Sequence, residues 1–332
     1  MKAVFMTGSP AGIPNAYNEA LRAEMAEKTE LLPKTYTMAE SEEELAALAD
    51  VDVIFSTWGM PPLNEEQIAK YLPKLKAVFY GAGSVQHFAR PFLARGVKVF
   101  SAWAANGVPV AEVTVSEIIL ASKGFFQRFQ YEDGAWDNHN VPVSFPGNYN
   151  TNIGIIGAGM IGKMVIKMLH SYRLNVYVFD PFLSDEKAAE LGCTKVKTLP
   201  ELFETCLVVS NHLANNPQTV GMINKECFDK MADNGVFINT GRGAQVVEAD
   251  MIAAMKEKPM RVAVLDVTYP EPPKAGSDMY KMRNIILTPH LAGSIGAEVQ
   301  RMGQYMFEEF CRFEAGEETF WGVSEKMLET MA

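Results

Sequence analysis

Three glycines, Gly157, Gly159 and Gly162, stand in G-x-G-x-x-G spacing between an apolar run ending at Ile156 and a helical pattern reaching residue 170. Each has a separate mechanical role. The first permits a tight turn, the second lets a pyrophosphate approach the backbone, and the third lets the helix sit close to the sheet. The helix N-terminus, with Met160 and Ile161 as its first residues, then presents unpaired N–H groups and a partial positive charge to an anion. Residues 174–179 read as the next buried strand and end in Asp180, at the spacing where an acidic residue takes the ribose hydroxyls of a dinucleotide. A 2′-phosphate there would face like charge, and Pro181-Phe182 supplies no cation, so NAD is favoured over NADP. Three further strand patterns end in reactive residues. Residues 236–239 lead to Thr240 and Arg242, 262–265 to Asp266 and Glu271, and 285–287 to His290. Ligands of open parallel sheets bind outside the carboxyl ends of strands, so these residues fall where chemistry is expected. A fourth run, 207–210, leads to Asn211 and His212.

Around these residues the chain alternates strand and helix. Strand patterns at 2–7, 51–56, 77–80 and 97–101 precede the glycine motif, with a helical pattern at 15–28 and the turn Gly81-Ala82-Gly83 after the third. Such alternation argues for a parallel sheet covered on both faces. A long helix is expected over 109–129, with Pro109 at its first position. An irregular arm at 130–150, containing Trp136 and His139, suits either a packed loop or a dimer contact. The last long helical pattern, 293–313, is expected to return to the first unit.

The totals set broad limits. A chain of 332 residues accommodates two domains, and 48% hydrophobic with 21% charged residues is a globular composition. The net charge of −10 disfavours nucleic acid or anionic lipid as partners. The acidic cluster at 40–44 reads as a solvated helix face. Cys193, Cys206, Cys227 and Cys311 form no C-x-x-C pair, so no metal is expected and reduced cysteines in a cytoplasmic protein are. The N-terminus reads directly as a strand without a signal-peptide pattern, and no unbroken apolar run has membrane-spanning length.

The ordered set YGAG (80–83), NGVPVAE (106–112), GIIGAGMIG (154–162), INTGRG (238–243), LDVTYPEP (265–272) and TPHLAG (288–293) resembles the D-isomer-specific 2-hydroxyacid dehydrogenase family over nearly the whole length. The resemblance implies an α/β protein of two doubly wound parallel-sheet domains. A Rossmann NAD domain, 105–294, would be inserted into a flavodoxin-like substrate domain made of 1–104 and 295–332. It implies Arg242, Glu271 and His290 as the catalytic trio and His212 and Thr240 as cofactor-lining. Asp266 would help position the nicotinamide or the arginine. The substrate carboxylate would lie on the backbone of Ala82 and Gly83, with Trp58 as a candidate pocket wall. His87 and His170, like His139, are assigned to structure.

The chemistry needs such a trio. Reducing a 2-oxo acid delivers hydride to C2 while the carbonyl oxygen takes a proton, and an imidazole can supply it near neutral pH. Glu271, if bonded to His290, would favour the imidazolium and keep the acid loaded. Arg242 offers a permanent charge and a planar fork that match a carboxylate. The expectation is therefore a cytoplasmic, homodimeric, NAD-dependent 2-oxo acid reductase. The alternative is an NAD(H)-sensing relative that acts through partner binding. Three departures from the family pattern stand out. Ser84 to His87 supply no acidic residue after the first glycine turn, Ala214 replaces a proline two residues after His212, and the appended regulatory domain of many phosphoglycerate dehydrogenases is absent from this length. Formate dehydrogenase is disfavoured, since its histidine partners glutamine rather than glutamate.

Overall fold

The computed structural model describes residues 1–128 and 145–329, which divide into two compact units. One comprises Met1–Gly107 and the segment from Ser294; the other is Val108–Gly293. Residues 130–144 of the expected arm, Trp136 and His139 among them, lie outside the described residues.

In the first unit, β1 (Lys2–Met6), β2 (Glu30–Tyr36), β3 (Val53–Ser56), β4 (Ala77–Tyr80) and β5 (Lys98–Ser101) form a parallel sheet in the order β2-β1-β3-β4-β5. This is the flavodoxin-like winding, with its direction reversing between β1 and β3. A short strand, Gly322–Val323, adds antiparallel to β5. The sequence pattern does not predict β2, because Pro33, Glu30 and Lys34 oppose a central strand. It is an edge strand, where a missing N–H and exposed charges are tolerated. The acidic cluster caps a short helix, Glu42–Leu45, through a reciprocal pair between Ser41 and Glu44.

Helix Val299–Ala315 belongs to this unit and buries Val299, Met302, Met306, Phe307 and Phe310 on one face. Phe310 meets Phe55 and Phe79 edge-on at 5.4 and 5.6 Å. Gly303 lies so close to Ala16 that a Cβ would collide with the Ala16 carbonyl. Fully buried Glu309 accepts hydrogen bonds from the Phe320 and Trp321 amides, each 2.6 Å, and pairs with Arg312 at 3.2 Å, which holds the C-terminal segment.

The second unit contains β6 (Tyr149–Ile156), β7 (Arg173–Phe179), β8 (Thr194–Lys195), β9 (Val208–Asn211), β10 (Val236–Asn239), β11 (Val262–Leu265) and β12 (Ile285–Leu287). Their order, β8-β7-β6-β9-β10-β11-β12, is all parallel and reverses between β6 and β9. That is the Rossmann winding, and its crevice opens at the reversal. The central strands β9, β10 and β11 are buried at every position, as a sheet covered on both faces requires.

Helix Trp103–Ser122 begins six residues before Pro109, which therefore sits inside it and not at its start. Trp103, Ala104 and Ala105 extend the helix upstream, and the proline removes one hydrogen bond without ending it. Among the described residues this is the one helix long and apolar enough to cross a membrane, and more than half of it is buried. Within the second unit its positions 111, 115, 118 and 121 enter the core beside Ile153, Ile155 and Val165, so it is a core helix there.

The same helix carries Glu117, whose Oε2 is buried without a hydrogen-bond partner among the described residues. Burial, reinforced by the Asp266 charge, pushes its carboxyl up from 4.5 to about 8. Between these values the unfolded chain releases a proton that the native state keeps, so this group lowers stability as pH rises from 4.5 towards 8. Glu117→Gln mimics the protonated acid and should raise Tm relative to the parent by more at pH 8 than at pH 5. An equal difference at both pH values, measured by thermal unfolding, would rule out this titration.

Candidate active site

The glycine turn has the steric features expected of its first and third glycines. Gly157 has φ +86°, a left-handed conformation that favours glycine, and its N–H donates to Phe179 O at 2.8 Å. A Cβ on Gly162 would collide with the Gly157 carbonyl, so glycine there lets helix Met160–Leu169 press against the turn. Gly159 is the helix N-cap, and a Cβ on it would meet no atom within 4 Å. Open space over the backbone at a helix N-terminus fits a pyrophosphate. Met160 and Ile161 open that helix, which buries Val165, Ile166 and Leu169 along one face.

Asp180 closes β7 with both carboxylate oxygens engaged: Oδ2 accepts from the Ala158 amide at 2.7 Å and Oδ1 from the Phe182 amide at 2.8 Å. The carboxylate is thus tied to the glycine turn itself. Across the reversal, a Cβ on Gly157 would meet His212 O at 3.1 Å and Leu213 N at 3.2 Å, so the loop after β9 lies directly against the turn. The His212 Nε2 shares a 3.0 Å hydrogen bond with Ser210, while Nδ1 is buried and without a partner among the described residues. Burial pushes its pKa down to about 3, so the ring is neutral at physiological pH. An orphaned nitrogen and an open glycine cradle on one crevice fit a polar dinucleotide.

Arg242, Glu271 and His290 lie beyond three consecutive parallel strands, β10, β11 and β12. His290 Nδ1 and Glu271 Oε1 are 2.6 Å apart. With Nδ1–H donating to the carboxylate, Nε2 is left without a hydrogen-bond partner among the described residues. Arg242 is held through Nη1 to Gly241 O at 2.8 Å, leaving Nε and Nη2 without hydrogen-bond partners there. Burial lowers the Arg242 pKa and the Glu271 charge opposes that shift, so the two groups sense one another. A guanidinium remains charged under both influences. Gly243 packs against Thr268 so tightly that any Cβ would overlap its backbone, which brings the arginine turn against the loop that carries Glu271.

His290 adopts φ +52°, an unfavourable region for a residue with a Cβ. One residue holds it there. Asp266 accepts the His290 amide on its carbonyl at 3.1 Å, the Leu291 amide on Oδ1 at 2.8 Å and the Ala292 amide on Oδ2 at 2.9 Å. Thr288 Oγ1 donates to the same carboxylate at 2.6 Å. Asp266, only 4% exposed, therefore orders the histidine turn; its hydrogen bonds go there and not to Arg242. Thr240 bonds Thr114 on the long helix at 3.0 Å.

In the first unit, the turn after β4 has its carbonyls fixed from below. Thr57 Oγ1 donates to Gly81 O at 3.1 Å and Ser101 Oγ to Ala82 O at 2.9 Å, while the Gly81 amide donates to Ser56 O at 2.8 Å. The Ala82 and Gly83 amides make no protein hydrogen bond among the described residues. Trp58, at the end of β3, is 46% exposed.

Sequence reasoning missed Asn211, Asn239 and Gln245, all fully buried and mutually bonded behind Arg242. The available signal was an asparagine as the last residue of two buried strands. It also missed Glu117 and Ser101. Among the described residues no group of three or more His, Cys, Asp or Glu side chains could hold a metal ion.

The family model for the NAD binding domain of D-isomer specific 2-hydroxyacid dehydrogenases matches residues 118–292. The chain is 31% identical to YoaD of Bacillus subtilis over 206 residues, covering 60% of this chain and 59% of that one. It is 30% identical to formate dehydrogenase of Chaetomium thermophilum over 259 residues, 74% of this chain and 70% of that one. The fold matches the NAD-complexed D-isomer specific 2-hydroxyacid dehydrogenase of Lactobacillus delbrueckii ssp. bulgaricus with a TM-score of 0.77, at 20% identity, over 98% of this chain and 100% of that one. The matches span between 42% and 59% of the length of the first three curated relatives. With an NAD-binding domain model covering more than half of its length, the chain belongs to the D-isomer specific 2-hydroxyacid dehydrogenase family.

Proposed function

We propose that the protein is an NAD-dependent D-2-hydroxyacid dehydrogenase that reduces a small 2-oxo acid, with His290 as general acid and base. The observation that carries this reading is the 2.6 Å His290–Glu271 contact, with Arg242 on an adjoining strand end and His290 Nε2 making no hydrogen bond among the described residues. Bound NADH supplies the hydride. Arg242 directs its uncommitted guanidinium donors to the substrate carboxylate and carbonyl. Glu271 fixes the orientation of the imidazole through Nδ1, so that Nε2 delivers a proton to the carbonyl oxygen as it gains charge. In oxidation the neutral ring takes that proton back. Ala82 and Gly83 are assigned to the carboxylate, since their amides make no hydrogen bond among the described residues while Ser101 Oγ holds both carbonyls. Trp58 is assigned to the substrate side chain.

Steady-state NADH oxidation with glyoxylate, pyruvate, hydroxypyruvate and longer 2-oxo acids tests the reading. Turnover of at least one is expected. Tight NADH binding with no turnover on any of them would instead favour the sensing role.

Asp180 bears on cofactor choice. Asp180→Ala should weaken NADH binding and narrow the preference over NADPH, because a carboxylate facing the ribose and an acceptor on the Ala158 amide are lost together. Titration of both cofactors reads this directly. If the ratio of the two dissociation constants stayed at the parent value, Asp180 would have no part in the choice.

A further inference from the structure

Behind Arg242 lies a cluster of three side-chain amides with no exposed surface: Asn211 at the end of β9, Asn239 at the end of β10, and Gln245. Asn211 Nδ2 donates to Asn239 Oδ1 at 3.0 Å and to Gln245 Oε1 at 2.6 Å. Gln245 Nε2 donates to the carbonyls of Leu213 and Ala214, each at 2.9 Å. The arginine turn bonds to the same cluster. The Gly241 amide donates to Asn239 Oδ1 at 3.1 Å, the Arg242 amide to Gln245 Oε1 at 3.3 Å, and Asn239 Nδ2 to Arg242 O at 3.2 Å.

Gln245 thus reaches two loops at once. Its Oε1 holds the turn that aims Arg242, and its Nε2 holds the loop that lies against the glycine turn at Gly157. That second loop has Ala214 where the family pattern often has proline, so it lacks a residue whose ring would restrict its backbone. Two hydrogen bonds donated by one buried amide supply the restriction from outside.

We propose that Gln245, supported by Asn211, is a positioning residue that holds the cofactor-side loop 212–214 and the Arg242 turn in register. Removing it loosens both, and cofactor affinity falls although Gln245 itself touches no ligand. The arginine half of this inference rests on the proposed function; the cofactor half rests only on the NAD-binding domain.

The test uses four full-length proteins: the parent, Gln245→Leu, Asn211→Leu and Leu169→Ala, the last a buried residue at the far end of helix Met160–Leu169. Each is measured for Tm and for NADH dissociation constant by fluorescence titration, and for KM with glyoxylate or whichever 2-oxo acid the parent turns over. Gln245→Leu leaves the Leu213 and Ala214 carbonyls and the Arg242 amide unpaired, Asn211→Leu leaves the Leu213 amide unpaired, and Leu169→Ala opens a cavity in the core, so all three should lower Tm. A positioning role predicts that the NADH dissociation constant rises about tenfold in Gln245→Leu and rises in Asn211→Leu, while Leu169→Ala binds NADH like the parent at a temperature where all four are folded. If Leu169→Ala lost as much affinity as Gln245→Leu, or if Gln245→Leu bound NADH like the parent, the cluster would be a stability element only and the proposal would be wrong. A parent that binds NADH without reducing any 2-oxo acid would sink the proposed reaction while leaving the NADH comparison decisive.

Discussion

Replacing His290 with alanine should lower kcat for 2-oxo acid reduction by about a thousandfold, within the range assigned to a positioned general acid, while NADH affinity stays near the parent value. The geometry behind this expectation is local to the second unit: Nδ1 is committed to Glu271 at 2.6 Å, and Nε2 is left to exchange a proton. Glu271→Gln gives a graded companion result. The amide keeps a hydrogen bond that orients the ring but removes the carboxylate charge beside it, so the loss should be smaller. Rapid mixing with NADH, monitored at its absorbance band, separates chemistry from binding. Full turnover in His290→Ala would remove the histidine from the reaction, and a large loss of NADH affinity would reassign it to cofactor binding.

The glycine turn supports an equally sharp contrast between two neighbouring substitutions. Gly159→Ala adds a methyl group that meets no protein atom within 4 Å, so Tm should stay near that of the parent while NADH affinity falls at least tenfold. The added carbon would occupy the open space that fits a pyrophosphate. Gly162→Ala adds the same methyl group where the Gly157 carbonyl already stands, so the helix must retreat from the turn. Overpacking of that kind costs about 1–3 kcal/mol. Both Tm and NADH affinity should fall. Calorimetry with NADH titration distinguishes the pair, and parent-like NADH binding by Gly159→Ala would dissociate the turn from the cofactor.

These two sites were legible in the sequence to different degrees, for physical reasons. The glycine turn could be read because each glycine answers a separate steric demand at a set spacing, and β6, β9, β10 and β11 could be read from the apolar runs within them, which burial on both faces requires. The lateral order of the strands could not be read from their composition. That order is what brings Arg242, Glu271 and His290 together, and before the fold was known only their common place at strand ends and the family resemblance linked them. The edge strand β2 was hidden by Pro33 and its charges. The start of the long helix was misplaced because a proline six residues inside a helix looks, in one dimension, like a first-turn proline. The amide cluster was hidden for another reason: Asn211, Asn239 and Gln245 are ordinary polar residues until two strand ends and the arginine turn bring them together.

The Asp266-bound turn also limits what could be transplanted. Grafting Arg242, Glu271 and His290 onto an unrelated scaffold would copy three side chains, yet His290 points as it does because its backbone is held at φ +52°. The carbonyl and carboxylate of Asp266 hold that conformation through three successive amides. A recipient without an equivalent acceptor would relax the histidine into ordinary backbone space and turn its ring away from Glu271. The smallest portable unit is therefore four residues, one of which never needs to meet a substrate.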